Sequence, residues 1–420
     1  MIFITKILWG IGTIALFTLG LYFSFKFKFK QLSIKGMIKA LKSDNKISPL
    51  NTLMMSLGAK IGVGSLSGVA LAIYIGGIGT IFWMWVCAFL VSSLAFSESL
   101  LGTIFQQKDK NNLIGGPSYY IRDGLYYKKL ASIYAFLIIV AYILGFLTIQ
   151  SNTITTIIVG NMEVNNILIG MLISTIVGFV IFGGVKNIIK ISNILVPIMG
   201  TLYIVFCLLI IFQNIQLMPQ IISNIFIEAF NFKSLTVGFT TILIGVQRGI
   251  FSNEAGIGTS GISSALSSDN PTKLGFIGTI GVLITTLFIC TLTALVVETS
   301  PYSTLNFIDV NGIEITEYAF TYHLGQTGTV MLIITIILFA FSTIITGYYY
   351  GESSLKFLGI ENKKSITILK IITLILLIFG SILSSNFLWN IVDLFVILLA
   401  LINVFALYNL RKIIITESKF

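Results

Sequence analysis

Lys60-Ile-Gly-Val-Gly-Ser-Leu-Ser-Gly68 and Glu254-Ala-Gly-Ile-Gly-Thr-Ser-Gly261 share one layout. Each has a Gly-x-Gly core with an ionisable side chain two residues before it and hydroxyls after it, and each sits inside a long apolar window. Glycine costs roughly 1 kcal/mol against alanine in a helix interior, so two such clusters mark places where a helix can unwind. Unwound backbone carries free N–H and C=O groups that lipid cannot satisfy; at membrane depth it must face protein, water, substrate or ion. The other reading of these glycines is close helix packing, and Gly64 and Gly68 do have the small-xxx-small spacing.

The windows around the two clusters belong to a chain whose solvent is mostly lipid. Of 420 residues, 56% are hydrophobic and 10% charged, with a mean hydropathy of +0.98, which excludes a water-soluble fold. Apolar windows long enough to cross a bilayer recur at about 5–25, 50–75, 78–105, 131–160, 166–184, 192–213, 236–265, 272–299, 327–350, 365–384 and 387–410. The expectation is an all-α polytopic membrane protein with 11 transmembrane helices. The first window lacks a small-residue cleavage site and reads as a retained helix.

The helix count gives the two clusters a relation. Residues 1–48 form one extra helix and a basic loop; the first cluster opens a five-helix unit over 49–232, and the second opens another over 233–420. Five is odd, so equivalent helices run in opposite directions, which makes an inverted repeat with its site at the two breaks.

Charge sets the orientation. If the amino terminus is outside, only Lys6 and Lys233 of the 26 Lys and Arg residues fall in outer segments, and Lys60 and Arg248 fall within windows. Inner loops collect Lys26, Lys28, Lys30, Lys35, Lys39, Lys42 and Lys46, and then Lys108, Lys110, Arg122, Lys128 and Lys129. This predicts an inner-membrane protein with its amino terminus outside and its carboxyl terminus in the cytoplasm. The surplus of +10 is explained by topology and membrane lipid, with no nucleic-acid partner.

Enzyme chemistry finds little support. His323 is the only histidine, read as lying in a solvated outer segment beside Asp309, Glu314 and Glu317, and Cys87, Cys207 and Cys290 lie singly in apolar windows. No zinc-ligand spacing or nucleophile–base pair emerges. A channel is the competing class, since inward polar residues and glycines also line pores.

Several strings resemble the alanine/glycine:cation symporter (sodium:alanine symporter) family. They are Gly-Gly-Pro-Ser-Tyr-Tyr-Ile at 115–121, Gln150-Ser-Asn152, Leu195-Val-Pro197, Arg248-Gly-Ile-Phe-Ser-Asn-Glu-Ala-Gly-Ile-Gly258, Cys290-Thr-Leu-Thr-Ala294, Phe341-Ser-Thr343 and Tyr350-Gly-Glu352. The resemblance covers nearly the whole chain and implies a LeuT-like five-plus-five inverted repeat after one extra helix. It implies secondary transport of small neutral amino acids, alanine or glycine among them, by sodium-coupled alternating access.

By the same resemblance, Gly62, Val63, Gly64 and Ser65 with Asn253, Ala255, Gly256 and Gly258 would cradle the substrate, helped by Gln150, Asn152 and the space at Gly347. Gly58, Ile61, Ser342 and Thr343 would supply the oxygens for Na+. Four positions depart from the family pattern: Lys60 for threonine, Ser65 for asparagine, Thr285 for aspartate and Gly347 for a pocket tryptophan. The last implies a larger pocket. Lys60 at membrane depth needs an anion. Glu254 and Glu98 are the candidates, with Arg248 a further charge partner able to anchor broken backbone. An ammonium standing where relatives hold sodium would give a cation-independent or proton-coupled exchanger; a lysine snorkelling to the interface would have no such role. Asp393 reads as structural.

Overall fold

A computed structural model describes residues 2–42, 48–109, 112–231, 235–302 and 311–418. Apart from a short antiparallel ribbon, Gln107–Asp109 with Asn112–Ile114, the regular structure is helical. Among the described residues seven helices are long and apolar enough to cross a membrane, and the bent pair Pro49–Lys60 and Val63–Gly76 makes an eighth if counted as one span. The remaining three expected windows hold the 16-residue helix Asn166–Ile181, the interrupted pair Leu235–Asn253 and Thr259–Ser264, and Lys363–Gly380, which carries three lysines. Lys46, Lys110, Lys233 and Asp309 lie outside the described residues.

The distribution of side chains is that of a bundle in lipid. Large apolar groups such as Ile14, Phe179 and Phe212 are well over half exposed, while Lys60, Glu98, Asn253 and Glu254 are buried. Polar groups have been drawn inward because the hydrocarbon outside offers them no partners.

Both glycine clusters interrupt their helices. Pro49–Lys60 starts with Ser48 accepting the Asn51 N–H and with proline in the first turn, where its missing donor costs nothing. It ends at Lys60; Ile61 leaves helical angles, Gly62 is extended, and the chain restarts at Ser67–Gly76, with a bend of 64° across the break. In the second cluster, Leu235–Asn253 stops where Glu254 (φ 54°), Gly256 (φ 86°) and Gly258 (φ 97°) take left-handed conformations. Glycine adopts these freely; Glu254 does so at a cost of about 1–2 kcal/mol.

Gly79–Ile104 is the spine onto which these pieces pack, touching Leu235–Asn253, Thr259–Ser264 and Pro271–Val282. Its contact with the second break is backbone to backbone, for a Cβ on Gly102 would stand 2.3 Å from the Gly261 oxygen. The leading helix Ile2–Lys26 lies against this spine and Ser385–Asn409: the Gly20 carbonyl accepts from Ser93, and Trp9 Nε1 donates to the Asp393 carbonyl at 3.0 Å. Its Leu16 reaches the second break, filling the space a side chain on Gly256 would need.

The segment between Pro301 and Gln326, read as an outer loop, differs from that expectation over its described residues. Residues 312–324 are helical, entered by a capping box of Asn311 and Glu314, and join the expected span 327–350 through a kink at Gly325 (φ 59°) to form Gly312–Phe357. His323 is therefore a half-buried helical residue, within hydrogen-bond distance of Thr299 Oγ1 (2.8 Å) and Asn214 Nδ2 (3.2 Å). This limb rests on the first break: a Cβ on Gly312 would lie 2.0 Å from the Ser67 carbonyl.

Candidate functional site

The two breaks meet in the interior. Residues 55–73 and 248–267 are buried throughout. The Val63 N–H, freed by the first break, donates to Gln150 Oε1 (3.1 Å), and a Cβ on Gly62 would come within 3.0 Å of the same oxygen and 2.5 Å of Thr343 Oγ1. Close approach, rather than an unusual φ, is what demands glycine here. Ser65 and Ser252 share a hydroxyl hydrogen bond at 2.9 Å that ties one broken helix to the other. The Ser65 carbonyl accepts from Thr293 at 2.7 Å.

In the second break the freed backbone is held by resident side chains. Asn253 accepts the Ala255 N–H at 2.9 Å and donates to Thr286. Glu98 Oε1 accepts the Gly258 N–H (3.1 Å) and Asn403 Nδ2 (2.8 Å), and Asn403 also donates to the Gly256 carbonyl. Tyr134 donates to the Ile257 carbonyl and Tyr120 to Asn403. An internal carboxylate thus takes the amide of Gly258, one of the residues expected to cradle the substrate. Glu98 Oε2 is buried with no hydrogen-bond partner among the described residues.

Lys60 lies between the breaks. It is 2% exposed, which rules out snorkelling, and its ammonium donates to Ser260 Oγ across the interface at 3.0 Å. Glu254 and Glu98 are the carboxylates whose charges act on it, although neither makes a direct ion pair with it among the described residues. Glu254 is held apart, accepting from Tyr142 OH (2.8 Å) and Thr259 Oγ1 (3.0 Å). The centre therefore sets one ammonium against two carboxylates.

A second group of oxygens gathers beside the first break. The Gly58 carbonyl accepts from Ser342 Oγ (3.0 Å) and Thr343 Oγ1 (3.1 Å), and Thr343 also reaches the Ala59 carbonyl (3.2 Å). The buried hydroxyls of Thr346 and Ser192, which would lie 3.1 and 3.7 Å from a Cβ on Gly58, have no hydrogen-bond partner among the described residues. Carbonyls and hydroxyls with unsatisfied members form the hard-oxygen set that a small cation prefers. Of the four expected residues, Gly58, Ser342 and Thr343 come together; the second carbonyl that Thr343 reaches is that of Ala59 rather than Ile61.

Other expected residues lie elsewhere. Asn152 turns away from the breaks, donating to the Gly380 and Leu383 carbonyls at the end of Lys363–Gly380. Gly347 opens no extra room: a Cβ there would meet Leu147 at 2.7 Å and Tyr142 at 2.9 Å. Arg248 is no partner of the Lys60 group but pairs bidentately with Asp393 (2.9 and 3.2 Å) and lies 4.2 Å over the Trp389 ring. Thr285 bonds the Gly281 carbonyl in its own helix. The sequence reading missed Ser260, Asn403 and Tyr142. It also missed a column of rings in which Tyr142 stacks on Phe146, Phe146 on Phe251, and Phe251 meets the edge of Trp389.

Two interrupted helices meeting inside an apolar bundle, with ionisable side chains and bare backbone between them, define a polytopic membrane transporter. A solved structure with the same fold is the substrate-bound outward-open state of a Na+-coupled sialic acid symporter, at TM-score 0.51 and 12% identity over 96% of this chain and 82% of that one. The chain belongs to the sodium:alanine symporter family, whose profile matches residues 1–419. It is 36% identical over 417 residues to the probable sodium/glutamine symporter GlnT of Bacillus subtilis, covering 97% of this chain and 86% of that one. It is 35% identical over 403 residues to the amino-acid carrier protein AlsT of the same organism (94% and 86%) and 32% identical over 390 residues to the sodium/alanine symporter AgcS of Methanococcus maripaludis (90% and 84%).

Proposed function

We propose that this chain is a sodium-coupled symporter of a small neutral amino acid, working by alternating access around the two breaks. The observation that carries this reading is the buried centre in which the breaks touch through Ser65 and Ser252 while one ammonium faces two carboxylates. Beside it, the oxygens of Gly58, Ala59, Ser342 and Thr343 make a set that suits sodium. The substrate is assigned to Gly62, Val63, Gly64, Ser65, Gln150, Asn253, Ala255, Gly256 and Gly258. Part of its contacts must come from bonds the breaks now make internally, such as Val63 to Gln150 and Gly258 to Glu98. The inverted units 49–232 and 233–420, and an outer amino terminus, belong to the same proposal.

Names of relatives support two substrate classes, alanine and glutamine. The place Gly347 would open is filled by Tyr142 and Leu147, which favours the smaller one. The test is uptake of labelled alanine, glycine and glutamine into proteoliposomes under an inward sodium gradient, with potassium as control. Saturable uptake of alanine that collapses without sodium, and that falls about tenfold in apparent sodium affinity in Thr343→Val through loss of one oxygen ligand, is the expected result. Equal uptake in sodium and potassium overturns it. That outcome would favour the second reading, an exchanger in which the fully buried Lys60 ammonium supplies the missing cation.

A further inference from the structure

The helical stretch Lys128–Asn161 touches both breaks. Its Gln150 Oε1 accepts the Val63 N–H of the first break, and its Tyr142 OH donates to Glu254 Oε1 of the second. In an unbroken α-helix, residues eight apart are about 80° out of line, which would turn one of these side chains aside. The stretch is not unbroken: Ala141–Phe146 is π-helical, with the Leu147 N–H bonded to the Tyr142 carbonyl five residues back. The wider turn takes up one extra residue, so Tyr142 and Gln150 return to within about 20° of one line. Thr148 Oγ1 lies 2.6 and 2.9 Å from the Leu144 and Gly145 carbonyls and supplies a donor to the widened turn.

The Tyr142 ring is fixed as firmly as its hydroxyl. It is fully buried, stacked on Phe146 with ring centres 4.6 Å apart and T-shaped to Tyr350 at 5.2 Å. Tyr350 is itself tied by its hydroxyl to Ser263, beyond the second break, at 2.6 Å. The Tyr142 ring also stands 2.9 Å from where Gly347 would carry a Cβ; Leu147 reaches that place only with a terminal methyl, at 2.7 Å. Gly347 is one helical turn beyond Thr343, whose hydroxyl meets the Gly58 and Ala59 carbonyls at the first break. The ring is therefore a wedge between Gly312–Phe357 and the second break, filling room that the bare glycine would leave open.

We propose that Tyr142 sets the upper size of the transported amino acid: its ring closes the room beside Gly347, so that an alanine-sized side chain fits between the breaks and a glutamine-sized one does not. The bulk of the ring selects; the hydroxyl positions Glu254. The assignment rests on the reading that the substrate lies between the breaks, and it names the residue that limits that substrate.

Uptake of labelled alanine and glutamine into proteoliposomes under an inward sodium gradient gives the ratio of kcat/KM for glutamine to that for alanine. A pocket wall discriminates by roughly tenfold or more per methylene, so Tyr142→Leu is expected to raise this ratio at least about tenfold. Tyr142→Phe keeps the bulk and should keep the wild-type ratio. Tyr142→Ala with Gly347→Phe returns a ring to the same space from the facing helix, and should bring the ratio back down from that of Tyr142→Ala alone. Thermal shifts of the detergent-purified proteins with each amino acid give the same comparison for a variant too slow to assay. An unchanged ratio in Tyr142→Leu, an equal rise in Tyr142→Phe, equal loss of both amino acids in Tyr142→Leu, or a wild type that carries glutamine as well as alanine would each overturn the assignment while leaving the transport reading intact. A wild type that moves neither amino acid sinks the transport reading and this one with it.

Discussion

Replacing Lys60 by methionine keeps a long apolar stem and removes the charge. Glu98 and Glu254 are fully buried, and both feel the Lys60 ammonium. Without it two carboxylates share a low-dielectric interior, and leaving a buried charge unpaired costs on the order of 3–5 kcal/mol, two to nearly four orders of magnitude in the folding constant. Glu98→Gln provides the control: its amide oxygen still accepts from Gly258 and Asn403, and its new NH₂ falls where Oε2 now has no partner. If charge balance is the lysine's task, the double variant recovers at least about 2 kcal/mol relative to the sum of the single losses. Denaturant unfolding of the detergent-purified protein at neutral pH, run as a double-mutant cycle in sodium-free buffer, measures this. Single losses that add within about 0.5 kcal/mol would refute the reasoning, because additivity is the behaviour of uncoupled sites.

Two further expectations concern packing. Arg248→Met should destabilise by about 3–5 kcal/mol through the stranded Asp393, while Arg248→Met with Asp393→Leu loses much less, as unfolding midpoints of the two proteins will show. Gly64→Ala places a methyl 2.5 Å from the Phe251 ring, which is stacked on Phe146 and packed T-shaped against Trp389, so it should cost about 1–3 kcal/mol and depress uptake, with partial rescue by adding Phe251→Leu.

The positions of the breaks were legible because glycine and polar residues inside apolar windows contradict a lipid-facing helix, and no tertiary knowledge is needed to notice it. Gln150 and Asn152 show where local reading could have gone further. Two residues apart on a helix is about 200°, so both could not face the break, and the structure turns Asn152 to the opposite side. The partners of the ionisable groups were harder to foresee. Ser260 meets Lys60 and Asp393 meets Arg248 only because distant helices are brought together, and no spacing encodes that. Gly347 misled for the same reason: whether a missing side chain leaves a hole depends on what fills it, here Tyr142 and Leu147. Residues 312–324 read as a loop because they carry charge, yet a capped helix resting on Ser67 satisfies that composition equally well.

The pairing of Arg248 with Asp393 bears on how the protein is made. A ribosome delivers the arginine while 145 residues still separate it from its acid. A guanidinium at the middle of a newly inserted helix is worth some 2.5–3.5 kcal/mol of penalty on the translocon scale. That penalty stands until Ser385–Asn409 arrives and docks against Trp9, whose indole donates to the backbone carbonyl of Asp393 itself. Two helices separated by most of this sequence therefore close on one residue, and a nascent chain released before that residue is translated would expose an unneutralised charge to quality-control proteases.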